Sequence, residues 1–183
     1  MRGLALLSCF SPTTPELTLT ELADQGGLDK ATALRLLTCL VEAGFVRRDT
    51  ERNLYRAGPA VLPVAISFQQ TTMLASVADP HLRELADQTG QTATLAIQDG
   101  GDAVNIALAY SDRPIRRLTH VGERFALNNA SVGKAIAASL RDEELESVLG
   151  TADLVSSTTG SITKWADFRA ELQRIRDSGY AFD

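Results

Sequence analysis

The sequence predicts an α+β chain in two parts that meet near Gly58-Pro59. Three observations predict it. Ala33, Leu36, Leu37 and Leu40 recur at i, i+3, i+4 and i+7, the stripe of an amphipathic helix. Thr92–Gln98 and Ala103–Tyr110 are β-rich runs joined by Asp99-Gly100-Gly101-Asp102, a strong hairpin signal. The period changes from helical to strand-like at Gln91, well after the first helices. With 183 residues, 44% apolar and 22% charged, the chain can build a real core, which excludes the disordered and low-complexity classes.

The elements follow in order. Leu4–Phe10 reads as a leading helix. Thr20 is placed as the N-cap of a short second helix that ends at Gly26-Gly27. Asp29 caps a third helix over 30–43, and Gly44 stops it. Phe45–Arg48 and Leu54–Ala57, around the polar turn 49–53, read as a small hairpin. The first domain is therefore 1–58. A connecting helix lies in the linker 59–73, and a second domain occupies 74–183. That domain opens with a helix over 74–89, which Pro80 is expected to kink. Its strands are 92–98, 103–110 and a third candidate over 115–121. Helices follow at 131–139, 142–149 and 163–178, and Tyr180-Ala181-Phe182 reads as the start of another strand.

Composition narrows the function. No apolar run approaches the roughly 20 residues that cross a bilayer, and Met1–Phe10 is too short for a secretory signal. The expectation is a cytoplasmic protein. Cys9 and Cys39 are too few for a disulfide framework or a four-ligand zinc site, and their apolar neighbours suggest small core residues. His81 and His120 have no partner at metal-ligand spacing, so no metal or cofactor is expected. Gly133-Lys134 resembles the end of a phosphate loop, but Asn128 and Ala135 stand where that loop needs Gly and Ser or Thr. No nucleophile or zinc-hydrolase motif occurs, so catalysis is not expected. The acidic run Asp142-Glu143-Glu144-Glu146 suits the start of a solvated helix.

Charge distribution is more informative than the net −5. Residues 1–60 carry seven basic and seven acidic groups, with Arg47, Arg48, Arg52 and Arg56 crowded into the hairpin. On the helix 30–43 the face opposite the apolar stripe is Ala31, Arg35, Thr38 and Glu42, with Thr32 and Cys39 along one edge. A short helix, a tight turn and a second helix with small or hydrogen-bonding residues outward is what major-groove reading requires. Arg35 can pair with a guanine edge, Thr32 can meet a phosphate or a thymine methyl, and Lys30 suits a phosphate. The hairpin arginines fit a wing along the backbone, or else a solvated hairpin. A protein-binding winged helix is the competing reading, and it would have little use for both Arg35 and the arginine wing.

These residues also carry a resemblance. Leu19-Thr20-Glu21-Leu22-Ala23, Leu28-Asp29-Lys30-Ala31-Thr32, Arg35-Leu36-Leu37, Gly44-Phe45-Val46 and Tyr55-Arg56-Ala57-Gly58 look like the isocitrate-lyase-regulator (IclR) family of bacterial transcription factors. Leu82-Arg83-Glu84-Leu85-Ala86, Gly133-Lys134-Ala135 and Gly179-Tyr180-Ala181-Phe182-Asp183 continue the likeness in family order. The resemblance implies an N-terminal winged helix-turn-helix, a linker helix and an α/β, GAF-like effector-binding domain. It further implies a homodimer or homotetramer on palindromic double-stranded operators, more often a repressor than an activator. Residues expected at DNA are Thr20, Lys30, Ala31, Thr32, Arg35, Thr38, Arg47, Arg48, Arg52 and Arg56.

Two departures stand out. Ala31 replaces the family's usual Ser, and Leu34 replaces a common polar residue. Leu34 and Val41 flank the stripe and fit either a neighbouring helix or subunit, or ordinary core. Family members also continue past Asp183, so the second domain is expected to be incomplete and its ligand response weakened. The implied effector is a small molecule such as a carboxylate or aromatic acid. Ser131 and Val132 would line its pocket at a helix start that favours anions, with Asp183 facing it and Arg117 a further candidate.

Overall fold

The computed structural model describes residues 2–112, 119–150, 154–156 and 160–183. They form two compact units, 1–73 and 74–183.

In the first unit, α1 (Arg2–Leu7), α2 (Leu19–Gln25) and α3 (Lys30–Glu42) pack on a sheet of β1 (Glu16–Thr18), β2 (Val46–Asp49) and β3 (Leu54–Ala57). Strand order is β1-β3-β2, all antiparallel. Leu6, Leu17, Leu22, Leu37, Val46 and Tyr55 make the core. The sequence predicts no strand at 16–18. Three residues carry too little pattern, and only pairing with β3 defines them. β1 in turn moves the cap of α2. Thr18 at the end of the strand is the N-cap, in place of Thr20: its hydroxyl accepts the Glu21 N–H at 3.3 Å, and the Glu21 carboxylate accepts the Thr18 N–H at 2.8 Å. A capping box needs Glu or Gln three residues on; Thr18 has Glu21, whereas Thr20 has Ala23. The leading helix also ends at Leu7, short of the expected Phe10.

Asp29 caps α3 as expected, its carboxylate accepting the Thr32 N–H at 2.9 Å. That hydrogen bond, more than any other contact, holds the Asp29 carboxyl below its usual pKa. Ala33 and Leu37 are buried, and Leu36 and Leu40 half-buried, as the stripe requires. Cys39 is exposed, contrary to the core reading, because its Cα lies on the edge of the stripe where nothing packs over it. Leu34 and Val41 are exposed as well. Behind the hairpin, Gly58 donates to Phe45 O at 2.7 Å, and a side chain on Gly58 would collide with the Gly44 carbonyl. The chain then enters α4 (Val61–Thr71), which has no buried residue.

The second unit places α5 (Met73–Thr89, with Pro80 in its interior) on one face of a sheet and three helices on the other. The sheet is β4 (Ala93–Asp99), β5 (Asp102–Ala109) and β6 (Arg124–Ala126), antiparallel in that order. Leu82 and Ala86 of α5 meet Ala93 and Ala109. On the opposite face α6 (Ser131–Ser139), α7 (Asp142–Leu149) and α8 (Trp165–Ser178) bury Ala137, Leu145, Phe168, Leu172 and Ile175 against Ala103 and Leu127. Asp99 pairs with Asp102 across the expected tight turn, with Gly100 at φ +60.

Two strand expectations change. Most of 115–121 lies outside the described residues, and the third strand of the sheet is 124–126, whose register partners are Val104, Ala103 and Asp102. Tyr180–Phe182 is not a strand; Tyr180 and Phe182 are exposed and no described strand pairs with them. Gly133 has a packing reason, since a Cβ there would sit 2.8 Å from Ala126 O and 2.9 Å from Leu127 Cα. It lets α6 lie close against the end of β6, which accounts for Gly133-Lys134 without any phosphate.

Candidate DNA-binding surface and effector cleft

Lys30, Ala31, Arg35 and Thr38 are exposed along α3, with Thr32 half-buried beside them. Lys30 and Arg35 have no ion pair among the described residues, so both cations remain available to an outside anion or base edge. The Thr38 hydroxyl donates to Leu34 O at 2.9 Å and keeps its lone pairs for accepting. Thr20, although not the cap, is exposed in the first turn of α2.

The hairpin divides its arginines between two faces. Leu17 and Tyr55 are register partners and point into the core, as does Val46. By alternation the row Glu16–Arg56–Arg47 lies on the outer face. Arg47 and Arg56 sit directly opposite one another, where like charges cost stability unless an anion lies over them. Arg48 belongs to the row of Tyr55. Its guanidinium lies 5.6 Å from the Tyr55 ring centre and donates to Asn53 Oδ1 at 3.3 Å. Arg52, in the turn, pairs with Glu16 at 2.9 Å. Sequence reasoning gave Glu16 no role. No local signal could have done so, because the contact depends on the register of β1 against β3.

In the second unit a cleft of about 270 Å³ is lined by Gln91, Thr92, Thr94, Asn105, Thr119, Phe125, Ala130, Ser131 and Val132. Ser131 and Val132 open α6. The Asp183 carboxylate accepts the Ser131 N–H and pairs with the Lys134 ammonium at 2.7 Å. Lys134, itself buried, also donates to Phe182 O at 2.6 Å. Asp183 thus meets Ser131 from the irregular segment after α8 rather than from a strand, and it is not among the residues that line the cleft. The start of α6 already holds one carboxylate, as its unpaired N–H groups and dipole favour. Asn105 is 1% exposed; its Nδ2 donates to Thr119 Oγ1 at 2.9 Å, Thr119 donates on to Glu123 at 2.5 Å, and Asn105 Oδ1 has no partner among the described residues. Arg117 lies outside the described residues.

Two family models match: the IclR helix-turn-helix domain over residues 1–50, and the bacterial transcriptional regulator IclR C-terminal domain over residues 67–183. The acetate operon repressor of Salmonella typhimurium is 32% identical and the transcriptional repressor IclR of Escherichia coli K12 is 31% identical. Each match covers 100% of this chain and 67% of the relative, so the chain spans about two thirds of their length. The crystal structure of a putative IclR transcriptional regulator from Silicibacter sp. TM1040 is similar with a TM-score of 0.78 at 31% identity, over 96% of this chain and 69% of that one. An IclR homologue from Microbacterium hydrocarbonoxydans, crystallised with 4-hydroxybenzoate, shares the fold at a TM-score of 0.78 and 20% identity, over 98% of this chain and 74% of that one. Both of these curated relatives are repressors. With a helix-turn-helix domain ahead of a C-terminal effector-type domain, both matched by the family's own models, this chain belongs to the IclR family of bacterial transcriptional regulators, which bind DNA through that first domain.

Proposed function

We propose that the chain is a cytoplasmic, ligand-responsive repressor of metabolic or catabolic genes, acting as a homodimer or homotetramer on a palindromic operator. The observation that carries the DNA-contact part is the set of outward cations with no ion pair among the described residues: Lys30 and Arg35 on α3, and Arg47 beside Arg56 on the wing. Arg35, Thr32, Ala31 and Thr38 read base edges; Lys30, Thr20 and the wing arginines Arg47, Arg48, Arg52 and Arg56 hold the backbone. Self-association is supported by α4, which lacks any charged residue and leaves Leu62, Val64, Ile66 and Phe68 exposed. No single described helix is long and apolar enough to cross a membrane.

The effector is a small carboxylate or aromatic acid in the cleft beside Ser131 and Val132. A carboxylate already rests on the start of α6, so an effector carboxylate fits by replacing Asp183 there, with Phe125 as an apolar wall. Arg117 is the further cation proposed for it. Such a ligand shifts the arrangement of paired DNA-binding domains only by its differential affinity for the two states, about 1–3 kcal/mol in typical cases. The test is selection of bound duplexes from a random pool at two salt concentrations, with the unmodified chain and Arg35→Ala side by side. A palindromic consensus that relaxes at one base position in the variant supports the reading. A chain that selects no sequence at low salt overturns it.

A further inference from the structure

Glu16 stands as a carboxylate among the outward arginines of the wing. Register places it opposite Arg56, which in turn is opposite Arg47, so the three form one row across the outer face. Arg52 reaches from the hairpin turn to the same carboxylate, Nη1 2.9 Å from Oε2, with side chains 59% and 30% exposed. The nearby Asp49 is already committed to the turn, its Oδ1 accepting the backbone N–H groups of Glu51 and Arg52 at 3.0 Å each. Glu16 caps nothing and closes no turn; Arg52 is its partner among the described residues.

We infer that Glu16 is a positioning residue that limits how strongly the wing holds DNA irrespective of sequence. Its carboxylate keeps Arg52 back across the sheet and offsets part of the field of Arg56 and Arg47. A phosphate approaching this row meets a negative charge, and Arg52 must leave Glu16 before it can contact that phosphate. Base contacts from α3 do not involve this pair. The effect therefore falls on the sequence-independent part of binding and raises the ratio of specific to non-specific affinity. The pair is solvated, so its influence is modest and screened by salt. The inference rests on the proposal that the wing meets phosphates.

The test measures binding of the whole chain to a short duplex of random sequence at three salt concentrations. The variants are Glu16→Gln, Glu16→Ser, Arg52→Ala, Glu16→Gln with Arg52→Ala, and Arg47→Ala, each checked for an unchanged melting curve. Removing the Glu16 charge is expected to tighten binding about two- to fivefold, the scale of an exposed ion pair. Because Glu16 competes with the phosphate for Arg52, its removal should also steepen the slope of log K on log salt, by at most about 0.9, the value of one full phosphate contact. A merely structural role would not steepen that slope. In the Arg52→Ala background the steepening should disappear. If Arg47→Ala weakens binding while both Glu16 variants bind no better than the unmodified chain, Glu16 has no such role. If Arg47→Ala also leaves binding unchanged, the wing does not meet phosphates, and the underlying proposal falls together with the inference.

Discussion

Three cations of the first unit and three of the second are placed in opposite ways. On the DNA-binding unit Lys30, Arg35 and Arg47 project outward with no ion pair among the described residues, and Arg47 faces another arginine across the sheet. In the second unit Lys134 is buried and held by Asp183 and Phe182 O, with Glu171 at 3.9 Å. Arg124 spans Asp99 and Asp102 at 2.8 and 3.0 Å, and Arg176 donates to Ala138 O and Leu140 O beyond the middle of α6. A cation whose donors are spent inside the chain holds the fold, whereas one left unsatisfied is available to something outside it. Unpaired charge alone is ordinary on a surface; opposed like charges on a hairpin beside a helix-turn-helix are less so.

The largest expected effect tests the inward half of this comparison. Lys134→Met leaves Asp183 and Glu171 facing each other without their shared cation. It should cost about 3 kcal/mol in urea denaturation, the low end for a broken buried pair because Asp183 is 41% exposed. A cost below about 1 kcal/mol would make Lys134 no more structural than a surface lysine. Next comes the outward half. Arg35→Ala should lose about 1–3 kcal/mol of discrimination at one operator position in competition binding, with the melting temperature unchanged. Equal loss on every sequence would move Arg35 into the same class as the wing.

Arg47→Ala should weaken all duplexes alike and flatten the log K against log salt slope by about 0.9. A sequence-dependent loss would contradict the division between helix and wing. The smallest effect is on pH dependence. Backbone hydrogen bonds, from Thr18 to Glu21, from Thr32 to Asp29 and from Arg52 to Asp49, hold these three carboxyls below their usual pKa. A lowered folded-state pKa gives stability that is present above the unfolded carboxylate range and is lost as pH falls through the folded values. Asp29→Ala should therefore lower the melting temperature at neutral pH and have little effect once the solution is acid enough to protonate the cap. A variant equally destabilised at both extremes would show that the cap acts through something other than its charge.

Much of the DNA-binding unit was legible because its signals are local. Asp29 precedes a 3.6-residue apolar stripe, so both the start and the buried face of α3 follow from about a dozen consecutive residues. The same holds for α6, α7 and the turn at 99–102. The Thr18 cap is legible in principle, since Glu21 stands at capping-box spacing from Thr18 and not from Thr20. β1 and β6 were not legible. Each has three residues, and a strand that short exists only through its partner, β3 for one and β5 for the other.

The order of helices and hairpins, the outward residues of α3 and the family all follow from local signals, because periodicity, caps and motif spacing act within a few residues of chain. Tertiary structure alone decided that Arg47 and Arg56 share a face while Arg48 stacks on Tyr55, that Arg52 is tied to Glu16, and that Asp183 rests on the start of α6 with Lys134. The last pairing joins residues 52 apart, and the Glu16 contact hangs on a register that one residue of slippage would turn inside out. Charge is carried by the residue, but its partner is chosen by the fold, because ion pairing falls off over a few ångströms and distance along the chain does not set distance in space.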